Sequence, residues 1–145
     1  MIALLQRVTE ARVRVADRTV AAIGPGVLAM IGVSRMDGAP QVSRLLERML
    51  DYRLFADEAG RMNRSLRDTG GGLLLVPQFT LAADTRAGNR AGFSTAAAPE
   101  AARGFFEQLV EAARVSFGEV GSGVFGAHMQ VSLVNDGPVT FWLEA

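Results

Sequence analysis

The sequence predicts an α/β fold of the α+β type, in which two long helices pack on a strongly curved, mostly antiparallel, barrel-like β-sheet. Apolar stretches with the period of strands outnumber those with the period of helices, and they follow one another along the chain. We therefore do not expect alternating βαβ winding. Of the 145 residues 49 % are hydrophobic, which is enough to bury the core of one domain over residues 1–145.

Six stretches are predicted to form the strands that precede the C-terminal region. Alternation is clearest at Ala11–Val15, where the valines are expected to face the core and Arg12 and Arg14 the solvent. The stretch Val27–Val33 is apolar throughout, which indicates a central strand, and the glycine–proline–glycine break at residues 24–26 precedes it. The predicted strands are Ile2–Val8, Ala11–Val15, Thr19–Ile23, Val27–Val33, Tyr52–Phe55 and Leu73–Val76.

Two segments have apolar residues at helical spacing. The first follows Asp37, and Pro40 suits its first turn because a proline there lacks only an N–H that has no helical partner. The second spans Pro99–Phe117. The inner faces are predicted to consist of Val42, Leu45, Leu46, Met49 and Leu50 in the first helix, and Phe105, Phe106, Leu109, Val110 and Ala113 in the second. The segments 57–72, 84–92 and 118–123 are predicted to be loops.

The C-terminal stretch Val131–Leu143 reads as two alternating strands joined by a tight turn at Asn135-Asp136-Gly137-Pro138. Asp-Gly is a frequent hairpin dipeptide, but a proline directly after it is unusual because it supplies no N–H to a ladder. The Gly137–Pro138 bond is a candidate for the cis form. From the residues alone, a plain hairpin turn and a functional element both remain open.

Composition excludes several kinds of site. The chain has no cysteine, so disulfides, zinc–thiolate sites and cysteine nucleophiles are excluded. Its lone histidine, His128, rules out a multi-histidine metal site, and a Ser-His-Asp triad would depend on that one residue. Because His128 enters a predicted strand, we interpret it as a structural histidine with its hydrogen bonds satisfied. We expect no metal and no cofactor.

The distribution of charge and hydropathy bears on location and partners. No signal peptide and no apolar run of about 18 residues occur, so a cytoplasmic protein is expected. The formal net charge of zero argues against bulk electrostatic capture of nucleic acid. All 15 basic residues are arginine, which fits either genomic base composition or recognition of phosphate or carboxylate groups.

A second stretch, Pro77-Gln78-Phe79-Thr80, follows directly on the predicted buried strand Leu73–Val76. A proline that ends ladder bonding is expected to leave nearby backbone N–H groups free, and such donors can form an oxyanion hole. Gln78 and Thr80 add polar side chains there. A strand end with a bulge is the alternative.

Four segments carry a resemblance that covers the whole chain: residues 1–8, residues 44–55, the run Gln78–Thr85 and the run Met129–Trp142. Together they resemble the D-aminoacyl-tRNA deacylase family, whose signature consists of SQxTL and NxGPVT. The second part is intact from Asn135 to Thr140. The first has Pro77 in place of serine, and Ala91 stands where the family usually has proline.

The resemblance implies the fold of that family and a homodimer with the active site at the interface. It implies that a cis Gly137–Pro138 pair enters the partner's pocket, where its carbonyls exclude an L-side chain while glycine passes. The terminal adenosine of the tRNA would lie beside Gln78–Thr80. The implied substrate-binding residues are Pro77, Phe79, Ala96, Phe125 and Met129. For Phe125 and Met129, an ordinary place in the core is an equal alternative.

The implied reaction is hydrolysis of the ester of D-aminoacyl-tRNA, and of mischarged glycyl-tRNA(Ala), by water. Backbone amides of Gln78, Phe79 and Thr80 and the 2′-OH of the tRNA would carry it. We expect no histidine, cysteine or lysine beside Thr80 to activate it as a nucleophile. Two alternatives stay open, namely a non-catalytic module that binds the tRNA acceptor end and a metal-free esterase of small D-amino acid esters.

Overall fold

The computed structural model describes residues 1–145 and shows a mixed α+β fold, which confirms the predicted class. Strands dominate, with two long helices and a short one. The elements are β1 (Ile2–Val15), β2 (Arg18–Ile23), β3 (Gly26–Gly32), α1 (Ala39–Asp51), β4 (Phe55–Ala56), β5 (Met62–Arg64), α2 (Leu66–Thr69), β6 (Gly72–Pro77), a 3-10 turn (Phe79–Ala82), α3 (Pro99–Ser116), β7 (Val120–Ser122) and β8 (Met129–Glu144). None of the helices is long and apolar enough to cross a membrane.

The long strand β1 is the centre of the main sheet, and it joins the two predicted strands 2–8 and 11–15 into one. Its first half pairs with β3 and its second half with β2, both antiparallel. Because Val8 pairs with Gly26 and Ala11 with Ile23, the same register continues through the break at residues 24–25. On its other edge β1 pairs antiparallel with β8 along nearly its whole length.

Two pairings in the sheet are parallel, which the sequence did not predict. Strand β3 pairs parallel with β6, and β6 pairs parallel with β7. Parallel neighbours need a crossover connection, and α1 and α3 lie in the two connections. The expectation of no βαβ winding was therefore wrong for this part of the chain, although the three pairings of β1 keep the sheet mostly antiparallel.

The predicted C-terminal hairpin was also wrong. Residues 129–134 pair with Val15–Glu10 and residues 140–144 with Gln6–Ile2, so both halves of β8 run in the same direction along β1. Asn135 pairs with Val8 and Thr140 with Gln6, which leaves residues 136–139 as a bulge. The Asn135 Nδ2 group donates to the Arg7 carbonyl at 3.2 Å and to the Val139 carbonyl at 3.0 Å, and thereby closes the bulge at its base.

The sheet has a buried core on each face. The larger cluster lies under the helices and includes the whole predicted stripe of α1; in α3 Ala102 is buried, whereas Phe105 is only half-buried. The smaller cluster is enclosed by the curled sheet. Alternate residues of β3 enter the two clusters, Val27 and Ala29 the larger one and Leu28 the smaller one. The continuous apolar run of this strand follows from burial of both faces.

The segment predicted as a loop between residues 57 and 72 contains further structure. The predicted strand Tyr52–Phe55 begins only at Phe55, and β4 pairs with β5 in a two-stranded sheet. Ser65 is the N-cap of α2: its hydroxyl accepts from the Asp68 N–H at 3.3 Å, while the Asp68 carboxylate accepts from the Ser65 N–H at 2.7 Å. The bond from the Ser65 N–H, and a second one that the Ser65 hydroxyl donates to the same carboxylate at 2.8 Å, hold the pKa of Asp68 below its usual value.

The backbones of β3 and β6 approach closely at Gly26 and Gly72, and this contact allows a test of the β3–β6 pairing. Gly26 pairs with Gly72, and a Cβ atom on Gly26 would overlap the Gly72 carbonyl oxygen, which is backbone and cannot rotate away. We expect Gly26→Ala to lower the free energy of unfolding by about 3 kcal/mol in chemical denaturation. Gly24→Ala is the matched control, because a Cβ there has no heavy atom within 4 Å. Equal stability of the two variants would contradict this account of the pairing.

Candidate active site

A small apolar cavity of about 260 Å³ lies where the end of β6 meets the start of α3 and the loop after β7. No charged side chain lines it. A cavity of this size is close to the lower end for ligand sites, about 300 Å³, and its walls suit the face of an aromatic ring. It is lined by Pro77, Phe79, Ala97, Pro99, Ala102, Phe125 and Gly126.

The position of Pro77 follows from the hydrogen bonding of β6. The Gln78 N–H donates to the Ile31 carbonyl in β3 at 2.7 Å, whereas the Leu73 N–H donates on the other side, to the Glu119 carbonyl. Backbone nitrogens alternate in direction along a strand, and Pro77 is four residues from Leu73, so its nitrogen points to the same side as that of Leu73, toward β7. At the level of Pro77 the pairing with β7 has already ended. The proline therefore removes no bond to β3. The expectation that it would free the Gln78 amide was wrong.

Two other amides, those of Phe79 and Thr80, have no partner within the 3-10 turn that they open. The first donor in the turn is the Leu81 N–H, which bonds to the Gln78 carbonyl at 3.2 Å. No side chain caps the turn. The leading amides of a helical turn point away from it, so these two are the available donors beside the cavity, of which Phe79 is a lining residue.

The hydroxyl of Thr80 accepts a hydrogen bond from the Gln78 Nε2 group. The Thr80 side chain lines a second, open groove of about 470 Å³, which also contains Trp142 and Glu144. The Glu144 carboxylate accepts from Trp142 Nε1 at 2.9 Å and not from Thr80. No general base hydrogen-bonds to this hydroxyl, although a nucleophilic threonine requires one.

The other predicted pocket residues lie at different distances from the cavity. Phe125 is a lining residue. Ala96 is not, but its neighbour Ala97 is, and Ala96 is held by a bridge to Ser34. Met129 lies beneath the loop after β7, where its sulfur accepts from the Val124 N–H at 3.3 Å. Met129 therefore supports the loop that carries Phe125.

Gly137 and Pro138 are exposed in the β8 bulge, joined by a cis peptide bond, and neither lines the cavity of the same chain. Thr140 pairs with Gln6, Gln6 with Leu28, and Leu28 with Leu74. The path from the Gly137–Pro138 bulge in β8 to Pro77 therefore crosses three strand spacings and then follows β6 to its end. The two predicted halves of the site, Gly137–Pro138 and Pro77–Thr80, are separated by on the order of 15 Å.

Arg7 holds the bulge from one side, and sequence reasoning did not find it. Its Nε donates to the Asp136 carbonyl at 3.2 Å and lies 3.1 Å from the Asp136 carboxylate, while Nη1 donates to the Leu54 carbonyl at 2.8 Å. The Arg7 side chain is only 16 % exposed. The missed signal was Arg7 itself, a charged residue inside the mostly apolar predicted strand Ile2–Val8.

The structure differs from the interpretation of His128, and it shows how the predicted loop 84–92 is closed. His128 is exposed and makes no hydrogen bond, so the interpretation as a satisfied structural histidine was wrong. The loop 84–92 is closed by two backbone hydrogen bonds between Asp84 and Gly92, at 2.8 and 2.9 Å. The Arg86 guanidinium donates to both oxygens of Asp84 and lowers the pKa of that carboxyl far below its usual value.

Comparison with known proteins decides the family. The sequence profile of the D-Tyr-tRNA(Tyr) deacylase family matches residues 4–144. The chain belongs to this family. The resemblance drawn from the sequence motifs, and the prediction of an enzyme of the D-aminoacyl-tRNA deacylase class, are thereby confirmed.

Curated relatives of the deacylase family match over full length. A D-aminoacyl-tRNA deacylase of Thioalkalivibrio sulfidiphilus is 69 % identical over 99 % of this chain and 97 % of its own. One of Alkalilimnicola ehrlichii is 63 % identical over 100 % of this chain and 97 % of its own.

Solved structures agree on the deacylase fold. A structure described as "c-Myc DNA Unwinding Element Binding Protein" superposes with a TM-score of 0.95 at 37 % identity, covering 100 % of this chain and 99 % of that chain. A structure described as a "probable eukaryotic D-amino acid tRNA deacylase" superposes with a TM-score of 0.82 at 20 % identity, covering 99 % and 98 %. The latter bears on the fold alone.

Four cavity residues of this deacylase family member were not predicted: Ala97, Pro99, Ala102 and Gly126. Pro99 and Ala102 were seen only as the start and the body of a helix. Small residues give a weak signal, because an alanine on a helix face has the same pattern whether it borders a core or a cavity.

Proposed function

We propose that this protein is a cytoplasmic, single-domain hydrolase that cleaves the ester of D-aminoacyl-tRNA, and of glycyl-tRNA(Ala), to give the free amino acid and tRNA. The observation that carries the proposal is an uncharged apolar cavity, lined by Phe79, next to a turn whose leading Phe79 and Thr80 amides have no partner within it, in a chain of this family. The terminal adenosine occupies the cavity between Phe79 and Phe125. The ester then lies beside the amides of Phe79 and Thr80.

The proposed chemistry needs only water. A water molecule attacks the ester carbonyl carbon, and the electron pair of the carbonyl moves to its oxygen, which the amides of Phe79 and Thr80 stabilise. The attacking water gives up one proton to the neighbouring 2′-OH of the tRNA, which passes a proton on to the ribose 3′-oxygen. When the carbonyl re-forms, the bond to that ribose oxygen breaks, and the products are the free amino acid and the tRNA with its 3′-OH restored. The Gln78 side chain donates to the Thr80 hydroxyl and takes no part in these steps.

This mechanism predicts a small effect of the Thr80 hydroxyl. We expect Thr80→Ala to keep kcat within about tenfold, because the backbone amide remains and no base activates the hydroxyl. Replacing the Thr80 amide by an ester, through incorporation of the α-hydroxy analogue of threonine, should lower kcat about 10²–10³-fold. A loss of about 10⁴-fold in Thr80→Ala with unchanged KM would instead indicate a nucleophilic threonine.

We propose that discrimination against L-substrates comes from the Gly137–Pro138 carbonyls of a partner copy. The pair lies too far from the cavity of its own chain, and its strand β8 is an edge strand whose Val134 and Trp142 are 50 % and 48 % exposed. A long edge with exposed apolar side chains favours association with a second chain. A homodimer brings each Gly137–Pro138 pair to the other cavity. Sedimentation showing a monomer at micromolar concentration would contradict this arrangement.

One assay tests the function directly. D-tyrosyl-tRNA, L-tyrosyl-tRNA and the ethyl ester of D-tyrosine are offered to the purified protein, and release of free tyrosine is measured. We expect rapid release from the D-aminoacyl-tRNA alone. Binding of the tRNA without release would support the acceptor-end binding module, and equal release from the small ester would support the general D-amino acid esterase.

A further inference from the structure

A further groove, of about 480 Å³ and distinct from the one lined by Thr80, borders the apolar cavity and has no role in the reaction described above. It runs between α3 and the segment that follows β7, and Phe125 lines both the groove and the cavity. Unlike the cavity, the groove is charged: Arg103, Glu107, Glu111 and Arg114 of α3 line one side. A ligand that fills the cavity and extends beyond it can therefore continue into this groove past Phe125.

Arg103 stands at the junction of the two spaces. Its guanidinium carbon lies 5.1 Å from the centre of the Phe125 ring, and Nη2 lies 3.5 Å from the point where a side chain on Gly126 would begin. The guanidinium makes no hydrogen bond to the protein and no ion pair within 4 Å, since the ion pairs of the chain involve other groups. A planar cation with free donors beside an aromatic face is suited to a phosphate next to a stacked base.

We infer that Arg103 binds the phosphodiester that joins the terminal adenosine to the preceding nucleotide, and that the preceding nucleotide enters this groove. The inference rests on the proposed function, because it requires a nucleoside in the cavity. A nucleic acid strand leaving that cavity carries its first negative charge at the exit, and Arg103 is the cation at the border with the groove. Phosphate contacts of this kind fix the position of the strand without reading its sequence.

The other charges of the groove limit the site to one phosphate. Glu107 and Glu111 lie one and two helical turns beyond Arg103 and repel further phosphates. Arg114 lies eleven residues along the helix, which is about 16 Å from Arg103. Because Arg114 makes no contact with the junction, removing its charge changes only the overall positive charge of the groove. Removing the charge of Arg103 also removes the proposed phosphate contact, so the two variants separate these effects.

The test compares Arg103→Gln with the matched variant Arg114→Gln, which removes the same charge from the same helix and groove. The substrates are D-tyrosyl-tRNA and the 3′-D-tyrosyl ester of adenosine, which has no phosphate. We expect Arg103→Gln to raise KM for the tRNA substrate roughly tenfold and to leave the nucleoside ester unaffected. The plot of log(kcat/KM) for the tRNA against log[salt] should become less steep by about 0.7, which is the change expected for the loss of one phosphate contact to a single strand. Arg114→Gln should match the wild type.

Three outcomes would overturn the inference: no change of KM and salt slope in Arg103→Gln, equal losses on both substrates, or equal changes in both variants. If the wild-type protein does not turn over the nucleoside ester, the salt slope with tRNA decides by itself. Failure of the proposed function is distinguishable, because the wild-type protein would then release no amino acid from either substrate.

Discussion

We expect Ala97→Phe to lower kcat/KM for D-aminoacyl-tRNA by about 10²–10³-fold, because the new ring occupies the space that we propose for the terminal adenosine. Ala97 lines the 260 Å³ cavity at the edge of the larger core cluster, so a larger group there has the open space of the cavity to fill. The Ala97 backbone N–H donates to the Val33 carbonyl at 3.0 Å and holds the residue in place. Single-turnover deacylation of D-tyrosyl-tRNA measures the effect.

The control for this variant is Ala101→Phe. Ala101 is exposed on α3, next to the cavity residue Ala102 but outside the cavity lining. It undergoes the same change of size without filling the cavity, so its activity should equal that of the wild type. Thermal unfolding checks that both variants are folded. A folded Ala97→Phe protein with wild-type kcat/KM would exclude the cavity as the adenosine site.

A second large effect is expected for Arg7→Met. The methionine keeps much of the length of the arginine, but it loses the hydrogen bonds to the Asp136 and Leu54 carbonyls and the ion pair with the Asp136 carboxylate. Hydrogen bonds from a charged, mostly buried group contribute about 1.5–3 kcal/mol each. Without them the bulge that carries Gly137 keeps only the Asn135 hydrogen bonds at its base, and under the proposed mechanism it excludes L-substrates less well. We expect the D/L ratio of kcat/KM to fall on the order of 10²-fold.

A mixed dimer tests whether the two halves of the site come from different chains. An Ala97→Phe chain has a filled cavity but an intact bulge, and an Arg7→Met chain has the reverse. In the proposed dimer arrangement, a heterodimer of the two places the intact bulge of the first chain at the intact cavity of the second. We expect about half of the wild-type activity with the wild-type D/L ratio. A heterodimer as unselective as the Arg7→Met homodimer would show that each bulge acts on its own chain.

Much of the fold could be predicted because local periodicity and burial coincide in it. Every predicted apolar residue of α1 is buried, since a helix on a sheet must bury one stripe. The run at residues 27–33 and the strand ending at Pro77 were found because both faces of a central strand are apolar. Each of these signals lies within one element.

The predictions that were wrong concern pairing between distant segments. Asn135–Pro138 has the composition of a hairpin turn, but β1 is long enough to pair with both halves of β8, and two ladders with β1 bury and hydrogen-bond more backbone than one hairpin. The parallel neighbours of β6 were missed for the same reason. Strand order depends on which edges are free after folding, and no local pattern records it.

The candidate site divides in the same way. The sequence by itself determined the family, the lack of cysteine chemistry and the two motifs around Thr80 and Pro138, because these depend on residue identity and spacing. Only the tertiary structure decided that the Phe79 and Thr80 amides, and not that of Gln78, lack a partner, since β3 supplies the acceptor for Gln78. It also placed Pro138 across the sheet from the cavity, because strand register sets that distance.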